Sequence, residues 1–411
     1  MTNRITAVLA TLLCTLCATA QSAMQQKVWR TYCKQQATTD TLATFSFAPV
    51  AQGNTIAWHL PEQMEPHATM HFYSGTKGEQ PSTGYPLFLY LHGSGPSQME
   101  WQTGLQLAQR FEDSPSAYII PRIPNEGQWY RWWQQSKQWA WEHMLRKLLT
   151  DKSIDPARIY MFGISEGGYG SQRLASYYAD YLAAAGPMAG GEPLKNAPVE
   201  NLSHIGFSLL TGDRDQMFYR NMLTHTTGQA LDSIARLYPT EYQHRVQLIP
   251  DRGHAIDYSP TTPWLSQFRR QAQPHHFQWE NMEMDGRKRN AFYNLEVLRE
   301  TDAYRTSYEF LVQDNDIQLT VSRVAYETTW IDPNWGIDML FARHLSPAEH
   351  GQLRVYLSPQ LVDPKQPVTI SINGQRVWSG KVKASRKTVQ RACQLWGDPL
   401  RLFPYAVEVE W

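Results

Sequence analysis

The sequence predicts an α/β fold: a doubly wound, mainly parallel sheet, followed by a C-terminal β-rich, sandwich-like region. Three observations predict it. Short apolar runs, Pro86–Leu91, Ala117–Ile120 and Arg158–Phe162, have the texture of strands buried on both faces. Segments with helical spacing, such as Trp132–Leu149, alternate with them, and strand–helix alternation gives a parallel sheet covered on both sides. From His276 to Trp411 the texture changes to short alternating segments separated by turn signals, the pattern of a sandwich.

In chain order, the first element is a leader. Arg4 supplies a positive start, Ile5–Leu16 a short apolar run and Ala18-Thr19-Ala20 a small-residue cleavage site, so residues 1–20 read as a signal peptide cleaved after Ala20. This implies a secreted or periplasmic protein with no membrane span once the leader is removed. Cleavage leaves Cys33 and Cys393, which form either one disulfide or two free thiols. Residues 21–275 read as one catalytic unit with an N-terminal β extension. In that extension Ala43–Phe47 alternates as a strand does, Met70–Tyr73 is a second strand, and a polar turn spans Ser74–Thr83. A helix over Gly167–Tyr178, short strands at Leu182–Pro187 and Gly206–Leu210, a helix around Gln229–Leu237 and a last strand at Arg245–Ile249 follow. Residues 276–411 read as an accessory β-rich unit, with Asn373-Gly374 as its clearest hairpin turn.

Lys+Arg and Asp+Glu balance at 38 each, so electrostatics give no reason to expect a nucleic-acid partner. His67 and His71 stand four apart, but in strand and loop surroundings. No zinc, cofactor or phosphate-loop motif occurs, so neither a metal nor a cofactor is expected. Nothing in the sequence bears on oligomeric state.

The chemistry-bearing motif is Gly163-Ile164-Ser165-Glu166-Gly167. It follows an expected buried strand and opens an expected helix, the setting in which a G-x-S-x-G serine is held on a sharp turn as a nucleophile. A serine hydroxyl needs an adjacent base, and His254 lies in the loop after the last strand. The acid that orients such a histidine is expected after the strand Gly206–Leu210, where Thr211-Gly212-Asp213-Arg214-Asp215 offers two candidates. Asp215 is preferred, three residues beyond the glycine, with Asp213 as the alternative, a turn former or partner of Arg214. Oxyanion donors are expected from the backbone of Glu166 and from His92-Gly93-Ser94-Gly95, with Ser94 preferred and Gly93 close behind. Trp129 and Tyr130, ahead of the aromatic-rich helix, are candidate substrate-binding residues, although packing of the helix and its entry loop is the favoured account of that aromatic cluster. Glu192 is either near the site or a solvated loop residue.

Strand-HGSG, GISEGG, PMAGG, TGDRD and RGH, in this order over about Phe72–Pro263, resemble the α/β-hydrolase superfamily. Gly163–Gly170 together with Pro187–Gly191 is most similar to its secreted esterases: feruloyl and acetyl-xylan esterases and polyhydroxybutyrate depolymerases. The resemblance implies a serine carboxylesterase acting through an acyl-enzyme on a small or polymeric ester, including acylated polysaccharide. A prolyl-oligopeptidase-like serine peptidase and a non-catalytic binding protein on a hydrolase scaffold are the alternatives. The C-terminal region lies outside the resemblance; it covers the site, binds polymer or stabilises the catalytic unit.

Overall fold

A computed structural model describes residues 22–301 and 305–411. The expected signal peptide lies outside the described residues. Among them, no helix is long and apolar enough to cross a membrane.

The first large unit is an eight-stranded sheet: β1 (Thr55–His59), β2 (Thr69–Lys77), β3 (Tyr85–Leu91), β4 (Ser116–Pro121), β5 (Ile154–Ile164), β6 (Ala184–Met188), β7 (Gly206–Gly212) and β8 (His244–Ile249), in the order β1-β2-β4-β3-β5-β6-β7-β8. The two pairings at the β1–β2 edge are antiparallel and the rest parallel. Every residue of β3 is buried, as its unbroken apolar run requires. Its alternate side chains face two cores. Phe88 and Tyr90 join Tyr160 and Phe162 beneath α2 (Ser97–Arg110) and α6 (Thr261–Leu265). Leu87, Leu89 and Leu91 join Met161 beneath α3 (Gln135–Thr150), α4 (Glu166–Tyr177) and α5 (Arg220–Leu237).

The N-terminal stretch departs from the sequence expectation. It begins with a helix, α1 (residues 22–39), and Ala43–Phe47 forms no ladder. Side chains hold that segment instead. Trp58 Nε1 donates to Ala43 O at 2.9 Å, and Phe45 packs on Trp58 and Phe72. Its alternation records one-sided burial, which a strand shares with any extended segment lying on a core. The expected turn at Ser74–Thr83 starts later, because β2 runs on to Lys77 against β4.

The C-terminal part has two sheets. β10 (Ala291–Phe292), β11 (Leu295–Arg299), β15 (Gln352–Leu357) and β18 (Tyr405–Glu410) make one. β9 (His276–Asn281), β12 (Thr306–Gln313), β13 (Asp316–Ile331), β16 (Val368–Ile372) and β17 (Gln375–Gly380) make the other, with β14 (Asp338–Pro347) paired to β13. Asn373 and Gly374 both take positive φ in the two-residue turn joining β16 to β17, the conformation such hairpins need. A helix that the sequence reading lacked, α7 (Arg386–Trp396), closes this part. Its buried Val389 and Cys393 meet Val28 and Tyr32 of α1. Cys33 and Cys393 are both free thiols, and burial pushes Cys393 up to about 12.

The two parts share one core. A single cluster of buried apolar side chains includes Trp141 of α3 and Tyr177 of α4 together with Trp279, Phe310 and Val409. Buried ion pairs cross the same junction, where Asp180 meets Arg289 and Arg401 and Asp398 meets Arg270.

Candidate active site

At the end of β5 the chain turns into α4 within one residue. Ser165 sits at that turn with φ 58° and ψ −114°, a conformation that a non-glycine residue adopts only under constraint. Ser165 N–H donates to Met188 O at 2.9 Å, and Ser165 O accepts from Tyr169 N–H at 3.0 Å. The flanking glycines make the turn possible. A Cβ on Gly163 would lie 2.4 Å from Gly167 O, and one on Gly167 only 2.0 Å from Leu91 O.

His254 presents Nε2 to Ser165 Oγ at 3.0 Å and Nδ1 to Asp215 Oδ2 at 2.7 Å. A carboxylate only accepts, so Nδ1 carries the proton and Nε2 is the acceptor facing the serine hydroxyl. Asp215 is buried, and its second oxygen accepts from Arg220 Nη1 at 2.9 Å. Arg220 opens α5, five residues beyond the acid, and no motif of the sequence announces it. Asp213 does not reach the imidazole: its carbonyl accepts from Asn221 Nδ2 at 2.8 Å, and Arg214 pairs with Asp251 instead.

Two segments that carry candidate oxyanion donors meet beside Ser165. Glu166 opens α4, where first-turn N–H groups have no intrahelical acceptor. Gly93 is close enough that a Cβ there would lie 3.4 Å from Ser165 Cβ. Gly93 O accepts from Tyr130 Oη at 2.9 Å and lies 2.8 Å from His92 Nδ1. His92 Nε2 accepts from Ile123 N–H at 3.2 Å, so Nδ1 is the donor. Burial lowers His92 to about 4, which keeps this neutral tautomer through the physiological range. A trans peptide points its N–H opposite its C=O, so fixing Gly93 O fixes the direction of Ser94 N–H.

A cavity of about 380 Å³ opens next to Glu166, with Trp133, Arg173, Phe218 and Trp335 among its walls. Trp129 and Tyr130 are not among them. Tyr130 is buried, and its hydroxyl bonds Gly93 O and Gly95 O; the half-buried Trp129 sits 5.8 Å from Lys137 Nζ. The wall comes from Trp133, whose ring carries the Arg173 guanidinium 3.9 Å from its centroid. Glu192 holds that guanidinium through two bonds of 2.7 and 2.9 Å. The Glu166 carboxyl is buried in the same cavity with Oε1 unpartnered. Burial raises it to about 7, against the opposing pull of Arg131. Among the described residues no group of three or more His, Cys, Asp or Glu is placed to hold a metal.

The strand order and the strand–Ser165–helix turn define the α/β-hydrolase fold. No family model matches the chain. Feruloyl esterase B of Thermothelomyces thermophilus is 27% identical over 123 residues, covering 27% of this chain and 41% of the relative. The chain thus matches about two fifths of that curated protein's length. Among solved structures, a thermostable esterase is similar at 21% identity and a TM-score of 0.40, over 53% of this chain and 63% of its own. A ferulic acid esterase from the fungus Anaeromyces mucronatus is similar at 13% identity and a TM-score of 0.38, over 50% and 84% of the two chains.

Proposed function

We propose that this protein is a secreted serine carboxylesterase that cleaves acyl esters, including those on carbohydrate, through an acyl-enzyme. The observation that carries the reading is the relay from Asp215 through His254 to Ser165 at 2.7 and 3.0 Å, mounted on the strained turn. The partial identity to a feruloyl esterase supports an ester substrate, and the leader-like residues 1–20 support export.

Ser165 Oγ attacks the acyl carbon while its proton passes to His254 Nε2. Asp215 keeps the imidazole in the required tautomer and stabilises the imidazolium. The Glu166 and Ser94 N–H groups bind the oxyanion. The tetrahedral species collapses as His254 returns the proton to the leaving alcohol, leaving Ser165 acylated. A water, deprotonated by His254, attacks the acyl carbon. Collapse of that second species releases the acid and returns the proton to Ser165.

The test is turnover of aryl acetates, acylated sugars and aminoacyl anilides side by side, with Ser165→Ala as the blank. Ester turnover that is lost in Ser165→Ala, in a protein with an unchanged circular dichroism spectrum, is expected. Anilide turnover at comparable rates would move the reading to a peptidase, and ester turnover surviving in Ser165→Ala would refute the serine assignment. Intact mass of the exported protein tests the leader, with cleavage after Ala20 expected.

A further inference from the structure

One wall of the cavity beside Glu166 is built by a segment far from it in sequence. β13 and β14 pair from Ser322↔Pro347 out to Ile331↔Asp338, with register shifts near Thr328, Trp330 and Ile331. Such bulges bend a ribbon and strengthen its twist. The outer arm carries exposed apolar side chains, Trp330, Ile331, Leu340 and Leu345. Its tip delivers Trp335, Gly336, Ile337 and Asp338 to the cavity wall.

The tip is fixed internally and tied to the catalytic part. Asp332 is buried. Its Oδ2 accepts from Asn334 N–H at 3.1 Å and Trp335 N–H at 2.7 Å, and Gly336 N–H donates to Asp332 O at 2.8 Å. Its Oδ1 accepts from Tyr219 Oη at 2.9 Å. Asp338 pairs with Lys195 at 2.9 Å. The Trp335 ring lies 4.9 Å from Phe218 and 6.0 Å from Tyr219, centroid to centroid. Phe218 and Tyr219 are consecutive left-handed residues, φ 56° and 58°, in the short turn between Asp215 and Arg220. Backbone of that kind persists where its surroundings over-determine it, and here the hairpin tip is the surroundings.

We propose that Trp335 is a specificity-determining residue of the ester site: the hairpin tip closes the cavity over a ring-bearing portion of the substrate. This inference rests on the ester reading above. Trp335 is 48% exposed, so half its surface remains for a ligand after it has packed on Phe218. Trp133 and Phe218 offer further flat surfaces in the same cavity. Ring–ring contact of this kind favours aromatic and sugar groups over short aliphatic ones.

The test compares kcat/KM of wild type, Trp335→Ala and Trp335→Phe on three esters: ethyl acetate without a ring, phenyl acetate with a ring on the alcohol side, and methyl cinnamate with a ring on the acyl side. Trp335→Ala is expected to lower at least one ring ester roughly tenfold more than it lowers ethyl acetate, mainly through KM. Trp335→Phe is expected to restore most of that loss, and remains informative where the alanine variant is insoluble. Equal changes on all three esters, or none, would overturn the inference alone. Absence of Ser165-dependent turnover of every ester by wild type would overturn the ester reading itself, and this inference with it.

Discussion

Tyr130 and Glu166 show how individual side chains around Ser165 differ in task from what their proximity suggests. Tyr130 Oη holds the carbonyls of Gly93 and Gly95 at 2.9 and 3.1 Å, so it positions the loop that offers Ser94 N–H. Removing an oxyanion donor outright costs roughly 10²–10³ in turnover. Loosening the loop should cost less: Tyr130→Phe is expected to lower kcat about tenfold with KM little changed, measured on an aryl acetate. An unchanged kcat would show that the loop keeps its shape without the hydroxyl. Glu166 adds a charge-state effect. Its burial holds it protonated up to about pH 7, whereas an unfolded glutamate titrates near ~4.3. The folded state therefore binds this proton more tightly, and stability falls as pH rises from the unfolded value through 7. Glu166→Gln should raise Tm at pH 8 more than at pH 5; an equal shift at both would contradict it. Asp215 and Asp213 occupy one short loop, and only distance from Gly212 favoured Asp215 in the sequence. They differ in burial and direction, which depend on where Asn221 and Arg220 of α5 lie.

The elements that build the serine turn were legible because their signals are local. The apolar run of β5, the glycines of the turn and the small residues of α4 stand within fifteen residues of Ser165. Gly167→Ala is expected to yield little folded protein and no esterase activity, since its Cβ would lie 2.0 Å from Leu91 O; a soluble, active variant would show that the turn relaxes. The β13–β14 hairpin had no such legibility. Its alternation predicts a strand pair, but that the pair reaches across to Phe218 is set by packing of the whole chain. α7 left a readable trace, with Val389, Ala392, Cys393 and Trp396 at helical spacing, inside a stretch whose texture is otherwise that of strands.

At the scale of the molecule, the catalytic and C-terminal parts are bound by a common core, which sequence texture divided at 275/276. Deletion of residues 276–411 would expose Trp141, Tyr177 and their neighbours, so the truncated protein is expected to be insoluble; a soluble, active fragment would contradict the shared core. The junction also carries a pH dependence. Burial opposes the charge on His276, but the carboxylates of Glu241 and Glu309 outweigh it and raise His276 to about 9. A raised histidine contributes stability that is full below its unfolded value, ~6.5, and is lost as pH climbs through 9. Tm should therefore decline between pH 6.5 and 9.5, and His276→Gln should flatten that decline. Rapid-quench kinetics with an aryl acetate, followed by intact mass, tests whether Ser165 is the nucleophile. A burst of phenol stoichiometric with enzyme and a transient acetyl adduct on the peptide containing Ser165 are expected, both abolished in Ser165→Ala. A burst that persists in that variant, or an adduct on another residue, would contradict it.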